Sequence, residues 1–345
     1  MDLEKLYYQI GEQLSTLDFE RIWPNFKPLK YALFDNEKCF FDGRYIEKTD
    51  AFCANTSIVY EGEQIATWMT TEEIELPILT SKIVHEMFHG YQNQNAWSFQ
   101  TNELEALFQY EYSAENLCLK LRENELLLGL VDGADEAAYA ELLSLRKLRS
   151  ERFEYEFGYE LRAEQIEGTA NYVEWQALKQ LDEKKAFVLT SQMRAMMTKP
   201  ERLFPIRISC YYTGALLINA LKLHAGPSIQ PEPMSLLPLL SDIEPSDGSV
   251  PEKDSKFRGV SAAISSFNNE SESIIETALE RNETVLEGPV ELVFLNIYDA
   301  KCFNGYLTST FFLMYRDEDG EKMIHGNFVI KMRDERTIET VYRWK

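Results

Sequence analysis

Two histidines four residues apart bracket a glutamate in the segment His85-Glu86-Met87-Phe88-His89. On an α-helix, residues four apart project from one face, so the two imidazoles can converge on a single ion. The His-Glu-x-x-His spacing also keeps Glu86 beside that ion without making it a ligand. A Zn2+ ion held in this way lowers the pKa of its bound water to roughly 7, and Glu86 would act as the general base that takes the proton during attack on a carbonyl. Ile83, Val84, Met87, Phe88 and Tyr91 add the apolar bulk of a helix buried in a core. Histidine is scarce, four in the chain with two of them in this pentapeptide, which weighs against a match produced by abundance. The plain alternative is a chance match on a buried helix that binds no metal. His224 and His325 read as a helix-end and a surface-strand residue.

Catalytic zinc takes three protein ligands and keeps one position open. A third histidine six residues after His89 would complete a three-histidine site, but that position is Asn95. Glu86-x-x-His89 also fits half of a di-iron carboxylate site, whose other half needs a second Glu-x-x-His. Leu221 and Lys322 stand at the required offset before His224 and His325, so that half is missing. The third ligand must then come from a distant segment. The stretch Glu164-Gln165-Ile166-Glu167-Gly168-Thr169-Ala170-Asn171-Tyr172 offers Glu167 and, as an alternative, Glu164. Glu160, Glu164, Glu167, Asn171 and Glu174 share one helical face, which is also how a solvated acidic face would read.

Glu167-Gly168-Thr169-Ala170-Asn171-Tyr172 resembles the Glu-Gly-x-Ala-x-Tyr motif of gluzincin-type metallopeptidases, a branch of the zincins. The resemblance implies that Glu167 is the third zinc ligand, carried on a separate helix, and favours it over Glu164. Gly168 and Ala170 are small enough to let that helix approach the histidine helix closely. Asn171 stands where many such peptidases carry an aspartate that orients a ligand histidine. Downstream, Arg207-Ile208-Ser209-Cys210-Tyr211-Tyr212-Thr213-Gly214-Ala215 is similar to their tyrosine-bearing helix. That implies a hydroxyl donor to the developing oxyanion, Tyr211 first and Tyr212 next. Arg207, one turn earlier, would hold a substrate carboxylate. With 18 tyrosines in the chain, ordinary packing is the competing reading of the pair. The resemblance also implies a peptide bound as an added strand on the N-terminal sheet, with residues 64–69 as the edge. The Gly-x-Met-Glu-Asn signature of the aminopeptidase branch is absent.

These groups need elements to position them, and the chain is long enough for more than one core: 345 residues, 45% hydrophobic and 27% charged. Residues 2–22 show a helical apolar stripe, and residues 29–68 read as strands and turns. Pro77 suits the first turn of the histidine helix, which can run to about Asn93. Long helical pattern fills much of 100–183, and another helix reads from Pro205 to His224. Gly226-Pro227 is a stop signal, and the Pro/Ser/Asp-rich stretch after it reads as a linker. A short helix at 259–282 and four strand-like runs at 289–297, 306–315, 322–331 and 336–343 follow, with a turn at Asp317-Glu318-Asp319-Gly320. The expectation is an α+β protein: a zincin-like metallopeptidase domain over 1–225 with a small N-terminal β-sheet and a mostly helical body, a linker or long loop over 226–258, and a helix plus antiparallel β-meander over 259–345.

Lys and Arg total 35 against 57 Asp and Glu, a net charge of −22. Such a field repels phosphate backbones and anionic headgroups, so neither nucleic acid nor a membrane surface is an expected partner. The acidic, amphipathic N-terminus is no secretory signal, and no window reaches the roughly 18 apolar residues of a membrane span. Five scattered cysteines without a Cys-x-x-Cys pair fit reduced thiols in a cytoplasmic protein. The expected activity is zinc-dependent hydrolysis of a peptide or protein substrate. The alternative is a non-catalytic, zinc-containing peptide-binding or regulatory protein, which would have no need of a base between its ligands. Oligomeric state is left open by the sequence.

Overall fold

The computed structural model describes residues 2–71, 73–97, 101–131, 133–224, 240–248 and 254–344. The chain opens with helices α1 (Leu3–Leu14) and α2 (Phe19–Ile22), followed by strands β1 (Lys30–Phe34), β2 (Cys39–Phe41), β3 (Arg44–Ile46), β4 (Thr56–Tyr60) and β5 (Glu63–Met69). A helical body comes next: α3 (Leu76–Gln94), α4 (Glu103–Gln109), α5 (Ala114–Gly129), α6 (Glu136–Arg152), α7 (Glu154–Ala163), a π-helical turn at Glu164–Gly168, α8 (Thr169–Leu181), α9 (Glu183–Met197) and α10 (Ile206–His224). Side-chain caps fix most starts. Asp2, Asp18, Asn102, Ser113, Asp135, Asp182 and Asp254 each accept a backbone N–H of the first turn of the helix they precede. The helix after Asp254 is α11 (Ser255–Arg281). It leads into strands β6 (Thr284–Leu295), β7 (Lys301–Phe303), β8 (Tyr306–Ser309), β9 (Phe312–Asp317), β10 (Gly320–His325), β11 (Phe328–Met332) and β12 (Thr337–Arg343). The expected class holds: α+β, with an N-terminal sheet, a helical body and a C-terminal antiparallel sheet.

Among the described residues the N-terminal sheet has the order β3-β2-β1-β5-β4, with β1 and β5 parallel. The edge expected at residues 64–69 is therefore interior, because β5 pairs with β1 on one side and β4 on the other. Sequence order misleads here: the hairpin β4–β5 folds back so that the later strand lands inside. The free edge beside the helical body belongs to β4.

The C-terminal sheet runs β10-β9-β6-β12-β11-β8-β7, all antiparallel. The Asp317–Gly320 turn is present as the tip of the β9–β10 hairpin. Two of the expected strand runs each divide in two. The first breaks before Phe312, where Phe311 adopts φ 66, and the second breaks at Gly326, φ 140. Helix α11 is 27 residues long and starts at Ser255, so the short helix expected at 259–282 begins earlier and is the longest described. Much of the expected linker, 226–239 and 249–253, lies outside the described residues, as does the Gly226-Pro227 stop. Residues 240–248 run along α6, where the Ser246 N–H donates to the Ser144 carbonyl, the Ser144 hydroxyl donates to the Glu244 carbonyl, and Leu240 is buried.

Helix α3 is the axis of the body. It is buried almost all round, between the N-terminal sheet on one side and α8 on the other. Gly90 allows the sheet-side contact: a Cβ there would stand 2.3 Å from Leu29 Cδ1 and 2.7 Å from Ser57 Oγ. Behind the histidines, Phe88 sits edge-on to Trp23, Phe26 and Trp97 at 4.9, 5.2 and 5.9 Å. Each such aromatic pair contributes about 0.5–1.5 kcal/mol beyond its burial, which pins the rotation of α3. Among the described residues no helix is long and apolar enough to cross a membrane.

Candidate metal centre

Helix periodicity places His85 and His89 on one face of α3, and the two Nε2 atoms stand 3.1 Å apart. Glu167 comes from the π-helical turn, and its Oε2 lies 3.7 Å from His85 Nε2 and 3.4 Å from His89 Nε2. The ligand atoms of His85, His89 and Glu167 all lie within 4.8 Å of one another. Donors about 2.1 Å from an ion at tetrahedral angles stand roughly 3.4 Å from each other, so the observed spacings match a metal-sized gap.

The protons decide what that gap wants. Gln92 turns its amide nitrogen to the Ile166 carbonyl and the Thr169 hydroxyl, both at 2.9 Å, which leaves its oxygen facing His89 Nδ1 at 2.8 Å. An amide oxygen only accepts, so His89 Nδ1 carries the hydrogen and Nε2 presents a lone pair. His85 Nδ1 faces the Glu174 carboxylate at 3.2 Å, an ion-pair contact off the angle of a hydrogen bond, and a carboxylate again calls for N–H at Nδ1. Two imidazole lone pairs and a carboxylate oxygen then point at one another with no proton among them. A cation or a proton in the gap relieves that repulsion.

The charge count agrees. With both imidazoles neutral and every carboxylate ionised, Glu86, Glu167, Glu174 and, through Arg207, Glu103 set four negative charges against two on Lys82 and Arg207, an excess of two. A divalent ion cancels it. Without one, a proton is the substitute. Burial opposes charge on His85, but Glu167 and Glu174 outweigh it and carry the imidazole up to about 10. Burial likewise works against ionised Glu167, yet His89, His85 and Arg207 hold it well below the usual carboxylate range.

Glu86 lies on the same helix, buried at the floor of the cleft. Burial pushes its carboxyl up, with His85 and His89 pulling the other way. Glu164, the alternative ligand, points elsewhere. It accepts from Lys120 Nζ at 2.9 Å, Arg146 Nη2 at 2.7 Å and Thr213 Oγ1 at 2.6 Å in a closed ionic network.

Arg207 also differs from expectation. One guanidinium nitrogen donates to Glu167 Oε1 at 2.7 Å and another to Glu103 on α4, whose other oxygen accepts from Tyr159 at 2.6 Å. Arg207 thus holds Glu167 rather than standing free for a substrate carboxylate. Tyr211 stacks on His85, centroids 6.5 Å apart and planes 12° from parallel, and burial drives its phenol pKa well up. Tyr212 also borders the cleft but packs against the main core.

Gly168 does make a close helix contact, but with a different partner from the one expected. A Cβ there would meet Gly214 Cα at 2.4 Å, so the small pair Gly168/Gly214 brings the Glu167 segment against α10, not α3. Asn171 lines the cleft, while the imidazole nitrogens are faced by Gln92 and Glu174. The signal for both was in the sequence. Gln92 lies three residues after His89, and Glu174 two helical turns after Glu167 on the face that also read as a solvated surface.

These residues floor a cleft of about 770 Å3. Residues 54–57, leading into β4, line it, as do Phe294 of β6, Phe312 of β9 and Tyr298 of the turn between β6 and β7. No protein-family model, curated protein or solved structure matches this chain.

Proposed function

We propose that the chain is a zinc-dependent peptidase of gluzincin-like design. The observation that carries this reading is the set of facing lone pairs on His85, His89 and Glu167, with the buried carboxylate of Glu86 beside it on a cleft floor. When bound, a divalent ion would supply Lewis acidity to a water and to a scissile carbonyl oxygen. Two imidazoles and a carboxylate suit zinc, and they also suit ferrous iron. Glu86 favours the hydrolytic assignment, because redox chemistry has no use for an acid–base carboxylate at that position.

Glu86 takes the proton of the attacking water on a carboxylate oxygen as the O–C bond forms. It returns that proton to the amide nitrogen as the C–N bond breaks. Its raised pKa brings it closer to neutrality, where both transfers are efficient. Tyr211, kept protonated by burial, is the hydroxyl donor to the carbonyl oxygen. Gln92 and Glu174 hold the imidazole tautomers, and Arg207 holds Glu167. The substrate backbone would pair along the free edge of β4, antiparallel to which β5 already runs. The five unpaired cysteines support a cytoplasmic, reducing setting.

The test is metal analysis of the purified protein followed by hydrolysis of internally quenched peptides. Stoichiometric zinc is expected, with cleavage reduced about 10²–10⁴-fold in Glu86→Gln at unchanged zinc content. Zinc without any Glu86-dependent cleavage would make the site a structural or peptide-binding one. Iron in place of zinc would reassign the chemistry.

A further inference from the structure

The cleft has two chemically unlike parts. Its charged residues, Lys82, Glu86, Glu167, Glu174 and Arg207, all belong to the floor built by α3, the π-helical turn, α8 and α10. The rest of its lining is uncharged, in a chain whose net charge is −22. The wall contributed by the C-terminal sheet and its β6–β7 turn sets three aromatic side chains, Phe294, Tyr298 and Phe312, beside Asn296 and Ile297. Phe294 stacks on Phe312 with centroids 6.1 Å apart, and Tyr298 stands beyond them. Phe294 remains 39% exposed and Tyr298 61% exposed, although both face a concavity. Large apolar side chains left in water around a cleft mark a binding surface, because the water they order is released when a ligand covers them.

A second cavity, of about 150 Å3, lies behind this wall. Arg207 and Ile297 border both spaces, and Tyr110, Tyr112, Tyr159 and Phe267 line the inner one.

We propose that the C-terminal sheet is the specificity wall of the cleft. Phe294, Tyr298 and Phe312 select polypeptide segments that present an aromatic or large aliphatic side chain, and the acidic molecule excludes acidic segments. The floor supplies chemistry common to any amide, whereas the wall supplies the choice among them. This inference rests on the peptidase reading above, and the experiment separates the two.

Four peptides differing only in a central Phe, Leu, Ala or Glu are offered to the zinc-loaded full-length protein. Cleavage is followed in the wild type, Phe294→Ala, Phe294→Leu and Tyr298→Ala. Binding of the same peptides is followed by fluorescence anisotropy in the Glu86→Gln background, where nothing turns over. The Phe and Leu peptides are expected to bind about tenfold or more tighter than the Ala peptide, with the Glu peptide weakest. That preference should collapse towards unity in Phe294→Ala and Tyr298→Ala and survive in Phe294→Leu, with zinc content and melting temperature retained. A preference for Phe and Leu that persists in both alanine variants overturns the wall and leaves the peptidase standing. Wall-dependent binding without Glu86-dependent cleavage keeps the wall and discards the peptidase. No difference among the four peptides in the wild type overturns the wall as well.

Discussion

Glu164 and Glu167 lie three residues apart on one π-helical turn, and they serve two opposed electrostatic regions. Glu164 joins Glu123 and Glu160 against Lys120, Arg146 and Arg149, six ionised side chains at 0–2% exposure. Three negative charges meet three positive ones, at 2.6 Å for Arg149–Glu160, 2.7 Å for Arg146–Glu164 and 3.0 Å for both Lys120–Glu160 and Arg149–Glu123. Glu167 enters a cluster with two charges too many and a cleft open above it. The first region balances its charge within the chain, while the second, with its carboxylates ionised and imidazoles neutral, does not. Burial alone therefore says little about function. The informative quantity is whether a buried polar cluster balances itself.

The largest expected effect breaks the balanced region. Glu164→Ala strips a partner from both Lys120 and Arg146 and should cost about 3–5 kcal/mol, the typical result of leaving a buried charge unpaired. Chemical denaturation reads it directly. If the network were a set of weak surface pairs, the loss would be below about 1 kcal/mol.

Next comes the tautomer control in the unbalanced region. Gln92→Leu removes the acceptor from His89 Nδ1 and the donor to the Ile166 carbonyl. Zinc affinity should fall about 10–100-fold, measured by competition with a chromophoric chelator. Glu174→Gln should fall in the same range, and an unchanged affinity in both would detach them from the site.

The pH dependence probes both regions at once, and there they differ in sign. Burial pushes Glu160 up, but Arg149 and Lys120 outweigh it and depress its pKa to about 2. A depressed carboxylate contributes stability that is present above its unfolded value, about 4.3, and lost as pH falls towards 2. In metal-free protein His85 is raised to about 10. Its contribution is fully present below the unfolded value of about 6.5 and lost as pH rises through 10. Melting temperature against pH in chelator should thus fall on both flanks, and added zinc should remove only the alkaline loss by taking the proton's place.

What could be read in advance divides along the same line. His85, Glu86 and His89 were legible because four-residue spacing is a local property of any helix, and Pro77 announced where that helix begins. Glu167 was legible only through a resemblance. Nothing local separated it from Glu164, since the π-helical turn sends two carboxylates three residues apart into different environments. The sheet edge was misread because strand order is a non-local outcome. Phe311 gave no warning of a turn, because an aromatic residue at φ 66 is no turn signal. Helix α11 looked short because its Ser, Asn and Gly residues are poor helix formers. Packing on α5 and on the C-terminal sheet overrides that preference.

Helix α4 has one more consequence. Its Leu104, Leu107 and Phe108 pack, partly buried, against the C-terminal sheet's core, while Glu103 at its start grips the arginine that grips Glu167. It behaves as a lever, with its long arm packed on one unit and its tip tied through Arg207 to Glu167 in the other. A chain ended in the linker expected over 226–258 would not be a self-contained body. It would leave three large apolar side chains in water and the lever without a fulcrum, so the boundary that the sequence draws most clearly is a poor place to cut.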